Sequence, residues 1–309
     1  MCSSDLAEGG RYPGGSALLM APRICLGTAQ FGLPYGITNT VGQVAETEVC
    51  RILALAAQQG IELLDTAQAY GTAESVLGRC WPVGSPRRLI SKLPAGADPD
   101  LWEQSFRSSL HRLRSDHLDA FLLHRSADLL GVDRERLLDW LESLRERGLV
   151  QRLGVSIYDA SELDGLPLER LQIVQLPLSI YDQRLLRNGT VECLKAAGVA
   201  VHARSLLLQG LILRSADDWP SFLTSDFRLH HHSLCQHVAS NALTLLDAAL
   251  AFGRSCKDLE AVLVGVLSAD ELLQVLSVWS APKQEALGPL SAWAWENWQD
   301  LDPRCWPPR

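Results

Sequence analysis

The chain has 309 residues, of which 47% are hydrophobic and 21% are charged, and its formal net charge at pH 7 is -8. This composition is typical of a globular protein and excludes a disordered, collagen-like or coiled-coil chain. No apolar run approaches the roughly 18 residues that a membrane span needs. No clustered basic segment is available to neutralise phosphates, so we expect neither a membrane nor a nucleic acid as a partner.

The predicted elements begin after residues 1–20, a glycine-containing segment that we expect to be a flexible arm. Eight short runs that are apolar almost throughout follow it, and such runs are typical of strands in a parallel sheet covered on both faces. The predicted strands are Ile24–Thr28, Ile61–Asp65, Leu89–Leu93, Leu118–His124, Arg152–Ser156, Leu171–Leu176, Val199–Arg204 and Ala261–Gly265.

Amphipathic helices are predicted between these strands, and several are expected to end at a glycine because left-handed backbone favours that residue. These glycines are Gly60, Gly148 and Gly198. Strand–helix alternation with right-handed crossovers predicts one domain over residues 21–309, a (β/α)8 TIM barrel. A doubly wound open sheet is the alternative, but the turn after the first strand lacks the GxGxxG pattern that such a sheet uses to bind phosphates.

The eight cysteines are far apart in the sequence and form no CxxC pair. They are Cys2, Cys25, Cys50, Cys80, Cys193, Cys235, Cys256 and Cys305. Because a disulfide framework or a structural zinc site is expected to need closer spacing, we predict unpaired thiols and no metal site. Thiols of this kind are typical of a reducing compartment, so we expect a cytoplasmic location.

Ionisable side chains stand at the ends of the predicted strands, where (β/α)8 barrels carry their active sites. Asp65 ends the second strand, Tyr70 follows it, Lys92 lies in the third strand and His124 ends the fourth. A tyrosine is a poor acid at neutral pH unless a nearby cation eases proton loss, and Lys92, held by Asp65, can supply that cation. His124 is left to orient a carbonyl oxygen or to relay a proton, so the four residues predict activation of a C=O group without a metal.

The sequence around these residues resembles that of the aldo-keto reductase family. Asp65-Thr-Ala-Gln-Ala-Tyr70-Gly is similar to the family's Asp-Thr-Ala-x-x-Tyr-Gly signature, and Ser91-Lys92-Leu93 and Leu122-Leu123-His124 resemble its lysine and histidine strands. The order and spacing stay in register over residues 22–280. The resemblance implies the catalytic tetrad Asp65, Tyr70, Lys92 and His124, a small carbonyl substrate, and NADP(H) or NAD(H) as the cofactor.

The same resemblance implies a nicotinamide nucleotide that lies extended across the barrel mouth. Its carboxamide is expected to bind Ser156 and Gln175, although Ile157 stands where relatives commonly have an asparagine. Arg204 replaces an aromatic ring that many relatives place against the nicotinamide, and its guanidinium can stack or bind an anion. The other residues expected to bind the nucleotide are Thr28, Asp65, Ser205, Leu206, Gln209, Gly210, Gly265 and Ser268.

The adenosine end of this expected site determines the choice between NAD and NADP. Residues 263–271 contain no basic side chain, and Leu267 and Glu271 stand where relatives often carry Arg or Gln. Glu271 is either a carboxylate that repels a 2′-phosphate or the partner of Ser268 in a helix capping box. We therefore expect weak selectivity for NADP or a preference for NAD.

Three features outside the motifs receive simpler interpretations. Residues 205–235 are predicted to be a mobile loop that covers the cofactor, and His230–His232 a solvated part of it. The C-terminal tryptophans are expected either to pack a C-terminal helix on the barrel or to line the substrate pocket. They are Trp293, Trp295, Trp298 and Trp306.

Two functions other than carbonyl reduction remain open. One is a nucleotide-binding regulatory subunit of the same fold with little turnover, which the tetrad opposes and Ile157 mildly favours. The other is a redox-neutral sugar dehydratase or isomerase that uses the same four side chains. A monomer is expected by default because a barrel buries its core without a partner.

Overall fold

The computed structural model describes residues 21–281 and 284–307, so the arm predicted at residues 1–20 lies outside the described residues. The strands are β1 (Arg23–Gly27), β2 (Leu63–Asp65), β3 (Arg88–Leu93), β4 (Leu118–Leu123), β5 (Val150–Ser156), β6 (Ile173–Pro177), β7 (Ala200–Arg204) and β8 (Ala261–Gly265). The α-helices are α1 (Ala29–Gly32), α2 (Glu46–Gln58), α3 (Ala73–Cys80), α4 (Trp102–Leu113), α5 (Arg134–Glu146), α6 (Arg184–Arg187), α7 (Thr190–Ala196), α8 (Ser225–Ser240), α9 (Leu245–Ser255) and α10 (Ala269–Ser280).

The strands form a closed parallel barrel in chain order, because β8 pairs back onto β1. Arg23 is in register with Ala261 at one end of this pair, and Gly27 with Gly265 at the other. The predicted (β/α)8 TIM barrel is therefore confirmed, and the open doubly wound sheet is wrong. Among the described residues, no helix is long and apolar enough to cross a membrane.

The barrel interior is packed with side chains. Cys25, Ile90 and Leu122 are fully buried in a small cluster inside the strands, and a larger apolar layer fills the space between the strands and the helices. Such a barrel is a solid core and not a pore, so a ligand finds room only at its ends. The glycines predicted to end helices do have left-handed backbone, since Gly60, Gly148 and Gly198 have φ values of 72°, 69° and 75°.

A disulfide joins Cys50 on α2 to Cys80 on α3, so the prediction of unpaired thiols is wrong for this pair. The two cysteines are 30 residues apart in the chain, but their Cα atoms are 4.6 Å apart. The helices pack side by side, and spacing along the chain carries no information about that contact. The described cysteines that stay free are Cys25, Cys193, Cys235, Cys256 and Cys305.

The segment after β7 is not the polar loop that the sequence predicts. It contains α8, and His230–His232 lie in this helix and not in a solvated loop. His231 is fully buried, stacks on Trp219 and hydrogen-bonds through its two ring nitrogens with the Tyr181 hydroxyl and the Arg214 carbonyl. Because the segment is a helix, its apolar residues fall on one face, which is turned toward the barrel. Short polar clusters interrupt these residues along the chain, so the helical periodicity is not recognised in the sequence.

The C-terminal segment also packs against α8. The Trp295 ring stacks on Phe227 with a centroid distance of 5.1 Å, and the Trp293 carbonyl oxygen lies 3.0 Å from His230 Nε2. Short 3-10 turns, among them Leu290–Trp293 and Trp298–Asp300, replace the expected C-terminal helix. The expectation of a packed C-terminal helix is therefore wrong, although Trp293 and Trp295 do pack against α8, whereas Trp298 is exposed.

Candidate active site

A cavity of about 400 Å³ opens at the carboxyl ends of the strands and reaches from Tyr70 to Glu271 on α10. Ten predicted site residues line it, namely Thr28, Asp65, Tyr70, Gln175, Arg204, Ser205, Leu206, Gln209, Gly210 and Gly265. Four predicted site residues are outside the lining, namely Lys92, His124, Ser156 and Ser268. The lining of this cavity contains none of the C-terminal tryptophans.

Asp65 organises the floor of the cavity. Lys92 Nζ donates to Asp65 Oδ1 at 2.6 Å and to the Thr66 carbonyl at 3.0 Å, while Gln175 Nε2 donates to Asp65 Oδ2 at 2.8 Å. The side chains of Lys92 and Asp65 are only 1% and 3% exposed. Burial makes this ion pair costly to break, because either charge alone would be left uncompensated. The amide nitrogen of Gln175, expected to face a carboxamide, is thus occupied by Asp65.

Tyr70 and His124 lie above this pair. Their rings meet edge to face with a centroid distance of 5.8 Å, and Lys92 Nζ lies 5.3 Å from the Tyr70 ring centroid. Burial, and then the charge of Asp65, raises the pKa of Tyr70, whereas Arg204 opposes the rise. The expected effect of Lys92 on Tyr70 stays a prediction, and in this state the Lys92 ammonium is paired with Asp65.

His124 is held neutral. Burial, and then the positive charge of Lys92, lowers its pKa to about 4. An imidazole in this state carries one N–H donor and one acceptor nitrogen at neutral pH. It is suited to hydrogen-bond an oxygen in the cavity without adding a charge.

Backbone and small residues form the rest of the expected nucleotide site. Gly27 and Gly265 are in register on β1 and β8 and line the cavity, and a Cβ on Gly265 would lie 2.4 Å from Gln30 Nε2. Thr28 Oγ1 donates to the Asp65 carbonyl at 2.9 Å, so this hydroxyl secures the strand ends. Ser156 ends β5 in register with Gln175 and is buried.

Gln209 and Gly210 bridge the cavity to the loop after β1. Gln209 Oε1 accepts from the Ile37 amide at 3.0 Å, and Thr38 Oγ1 donates to the Gln209 carbonyl at 3.1 Å. Gly210 has a φ of 90°, and a Cβ there would lie 2.1 Å from Thr38 Oγ1. Glycine is required at this crossing for both backbone conformation and space.

Arg204 is fixed against residues that sequence reasoning missed. Its guanidinium carbon lies 3.8 Å from the Tyr158 ring centroid, and Nη2 donates to the Ile157 carbonyl at 2.9 Å. Arg304 reaches the same ring from the C-terminal segment, 3.9 Å from the centroid. No local pattern marks Tyr158 or Arg304, because a stacked cation and ring leave no periodic signal in the sequence.

At the α10 end of the cavity, two carboxylates occupy backbone N–H groups. Glu271 Oε2 accepts from the Leu267 amide at 2.7 Å, and Glu48 Oε1 accepts from the Ala269 amide at 2.8 Å. Ser268 caps the helix by accepting from the Glu271 amide. Half of the expected capping box is thus present, because the Glu271 amide donates to Ser268 while the Glu271 carboxylate binds the Leu267 amide and not that of Ser268. Glu48, which the sequence did not single out, is a second carboxylate at this helix start.

Comparisons with known proteins agree with this geometry. The sequence profile described as the aldo/keto reductase family matches residues 23–286. An aldo-keto reductase of Mycolicibacterium vanbaalenii is 33% identical over 132 residues, which cover 41% of this chain and 46% of that protein. Aldo-keto reductase str7 of Strobilurus tenacellus is 29% identical over 237 residues, 72% of this chain and 67% of that protein. The match to the mycobacterial relative thus spans about half of that relative's length.

Solved structures agree in fold. An aldo-keto reductase of Bacillus halodurans in its holo form superposes with a TM-score of 0.70 at 20% identity, covering 91% of this chain and 96% of that one. The glycerol dehydrogenase of Gluconobacter oxydans superposes with a TM-score of 0.68 at 20% identity, covering 92% and 94%. At this level of identity the likeness concerns the barrel and not the substrate.

Proposed function

Because the chain belongs to the aldo/keto reductase family, we propose that it is an oxidoreductase that uses NAD(H) or NADP(H) to interconvert an aldehyde or ketone with an alcohol. The observation that carries this proposal is the position of Tyr70, which lines the cavity beside the buried Lys92–Asp65 pair. A phenol at such a position is suited to protonate a carbonyl oxygen held in the cavity.

Tyr70 acts as the proton donor in this proposal. Its raised pKa keeps the phenol protonated at neutral pH, so the O–H is available. An alkoxide is a stronger base than a phenolate, and the proton therefore moves from Tyr70 Oη to the substrate oxygen as negative charge develops there. Lys92 lies close enough to stabilise the resulting phenolate, and neutral His124 orients the oxygen through a hydrogen bond.

The cavity fits a nicotinamide nucleotide. Gly27 leaves room for a flat group close to the backbone, the Gln30 side chain lies against Gly265, and the crossing at Gln209 and Gly210 encloses the far side. Ser156 and the Gln175 carbonyl oxygen offer polar partners for a carboxamide near Asp65. When bound, the reduced nucleotide supplies the hydride for the carbonyl carbon.

The carboxylates at the α10 end support NAD(H) as the preferred nucleotide. A helix N-terminus attracts anions through its free N–H groups, but Glu271 and Glu48 already bind the Leu267 and Ala269 amides. A 2′-phosphate would meet these carboxylates instead of open donors, although Glu48 is also paired with the exposed Arg51 at 2.8 Å. We therefore propose that the chain binds NAD(H) at least as tightly as NADP(H).

Turnover tests the proposal directly. Purified protein is incubated with NADH or NADPH and a panel of aldehydes and ketones, and the absorbance of the reduced nicotinamide is followed. We expect carbonyl-dependent loss of that absorbance. Tight nucleotide binding without turnover on any carbonyl would instead support the regulatory subunit, and conversion of a sugar without change in nicotinamide absorbance would support redox-neutral chemistry.

A further inference from the structure

We propose that Arg204 forms an anion subsite beside Tyr70, so that the substrate is an aldehyde or ketone that also carries a carboxylate or phosphate group. This inference rests on the proposed carbonyl reduction and names the substrate class of the same cavity. Arg204 and Tyr70 both line that cavity. The charge of Arg204 also acts on the pKa of Tyr70 and of His124, in line with a position close to both side chains.

Arg204 lacks the acidic partner that most arginines of the described chain have. Arg152, Arg170 and Arg184 each pair with at least two carboxylates. The hydrogen bonds of Arg204 go to uncharged oxygens, at 2.9 Å to the Ile157 carbonyl and at 3.4 Å to Ser205 Oγ. A guanidinium has five N–H donors, so donors remain for a ligand. The charge is thus left for an anion that enters the cavity.

The position of this guanidinium is fixed before any ligand arrives. The guanidinium carbons of Arg204 and Arg304 both pack on the Tyr158 ring, 3.8 Å and 3.9 Å from its centroid. Arg304 is neutralised by Asp302 at 2.7 Å and Glu162 at 2.9 Å. The stack therefore holds Arg204 rigid while only the outer arginine is paired, and rigidity lowers the entropy cost of binding.

Arginine chemistry selects the ligand class. The planar fork of a guanidinium matches carboxylate and phosphate oxygens and forms charge-assisted hydrogen bonds with them. Because Tyr70 lines the same cavity, one small molecule can present its anion to Arg204 and its carbonyl to Tyr70.

Arg214 is the competing cation. It lines the same cavity, in the segment that follows the crossing at Gln209 and Gly210. We assign Arg214 to the phosphates of the nucleotide and Arg204 to the substrate. The two assignments predict different defects, since loss of the first weakens nucleotide binding and loss of the second changes substrate discrimination.

Matched substrate pairs test the subsite. Initial rates are measured with 4-carboxybenzaldehyde against its methyl ester, and with glyceraldehyde 3-phosphate against glyceraldehyde, so the two pairs separate carboxylate from phosphate. The wild type should prefer the charged member of at least one pair by about 10- to 100-fold in kcat/KM, the range of one charge-assisted hydrogen bond. Arg204→Gln should remove that preference, mostly by raising KM for the charged member, so the readout is the ratio between the two members of each pair at saturating nucleotide.

Two further variants complete the design. Arg204→Lys keeps the charge without the fork and should retain part of the preference. Arg145→Gln removes one exposed positive charge from α5 and should change neither ratio. Equal preference of the wild type for both members of each pair would overturn the subsite, as would a loss in Arg204→Gln that is the same for charged and neutral members.

The proposal also has a readout that does not need turnover. Binding of 4-(hydroxymethyl)benzoate to the wild type with bound NADH is measured by calorimetry and compared with Arg204→Gln. Weaker binding in the variant supports the anion subsite even if no carbonyl is reduced, in which case only the proposed function fails. Binding that is unchanged in Arg204→Gln, or absent in the wild type, overturns the subsite.

Discussion

Two buried polar clusters lie at opposite ends of the same barrel, and they differ in how completely their charges are paired. Near the amino ends of the strands, Asp119 accepts from Arg88 at 2.8 Å and from Arg152 at 2.6 Å, and Arg152 also reaches Glu260, which lies 3.0 Å from His202 Nε2. Near the carboxyl ends, Lys92 and Asp65 form a buried ion pair, and the cavity is lined by Tyr70 and by Arg204, which has no acidic partner among the described residues. In the first cluster the charged groups are paired with one another, whereas the second leaves side chains free to bind a ligand.

The pKa shifts follow the same division. At the amino end, the hydrogen bond from His202 and the charge of Arg152 lower the pKa of Glu260 to about 2, so the cluster stabilises charged groups. At the carboxyl end, burial raises the pKa of Tyr70 and lowers that of His124, so both are kept neutral. Buried charge in a barrel is therefore no sign of chemistry by itself. Neutral groups that can exchange a proton beside a buried ion pair are the better sign.

The largest effect is expected at the carboxyl end. Tyr70→Phe should lower turnover with a reducible aldehyde by about 1,000-fold, within the range of general acid catalysis, because it removes the phenol whose ring lies 5.3 Å from Lys92 Nζ. The unfolding midpoint and the nucleotide Kd should be unchanged. Tyr35→Phe, which removes another hydroxyl from the cavity lining, is the matched control. Retention of a tenth or more of the wild-type turnover in Tyr70→Phe would contradict the assigned role.

The amino-end cluster is expected to respond in the opposite way. Arg152→Met leaves the buried Asp119 and the half-buried Glu260 with one partner fewer each, and it should lower the free energy of unfolding by about 3–5 kcal/mol while kcat is retained. Denaturant unfolding and steady-state kinetics measure the two quantities.

Arg170→Met is the matched control for that substitution. Arg170 pairs with three carboxylates on the surface of α5, two of them more than 70% exposed. Surface pairs contribute about 0–1 kcal/mol, so the loss should be small. An equal loss in both variants would show that burial of the cluster does not matter.

Two histidines make the stability depend on pH. Burial lowers the pKa of His124 and of His231 to about 4, so the unfolded chain, with a pKa of about 6.5, binds more protons than the folded one below that pH. The stabilisation is complete above pH ~6.5 and is lost as the pH falls toward ~4. His124→Gln and His231→Gln should each reduce the acid-side slope of the unfolding free energy by about one proton. Exposed His117→Gln serves as the control, and a slope that all three variants leave intact would contradict the shifts.

The smallest expected effect concerns the far end of the cavity. Glu271→Gln and Glu48→Gln keep an oxygen for the Leu267 and Ala269 amides but remove one charge each. One unit charge at about 4 Å contributes about 1 kcal/mol in water. Each variant should therefore lower the Kd for NADPH, relative to the Kd for NADH, about fivefold. Exposed Glu146→Gln is the control. A hundredfold NADPH preference of the wild type would instead point to a basic residue that reads the phosphate.

The sequence by itself determined the barrel and the position of the four tetrad residues. Apolar runs such as Leu118–Leu123 can lie only in a sheet covered on both faces, and Gly60, Gly148 and Gly198 mark the turns where left-handed backbone is needed. Because active sites of closed barrels lie at the carboxyl ends of the strands, Asp65, Lys92 and their neighbours could be assigned to one mouth from order alone. These features depend on residues that are close together in the chain, so the sequence alone can predict them.

Only the tertiary structure decided which side chains pair. The disulfide between Cys50 and Cys80, the capture of Gln175 by Asp65 and the contact of Glu48 with the start of α10 join residues that are 30, 110 and 221 positions apart. A contact between packed helices or across a barrel depends on the orientation of both elements, and neither periodicity nor spacing encodes it. For the same reason, only the tertiary structure shows that Arg204 has no acidic partner among the described residues and that it packs on the Tyr158 ring.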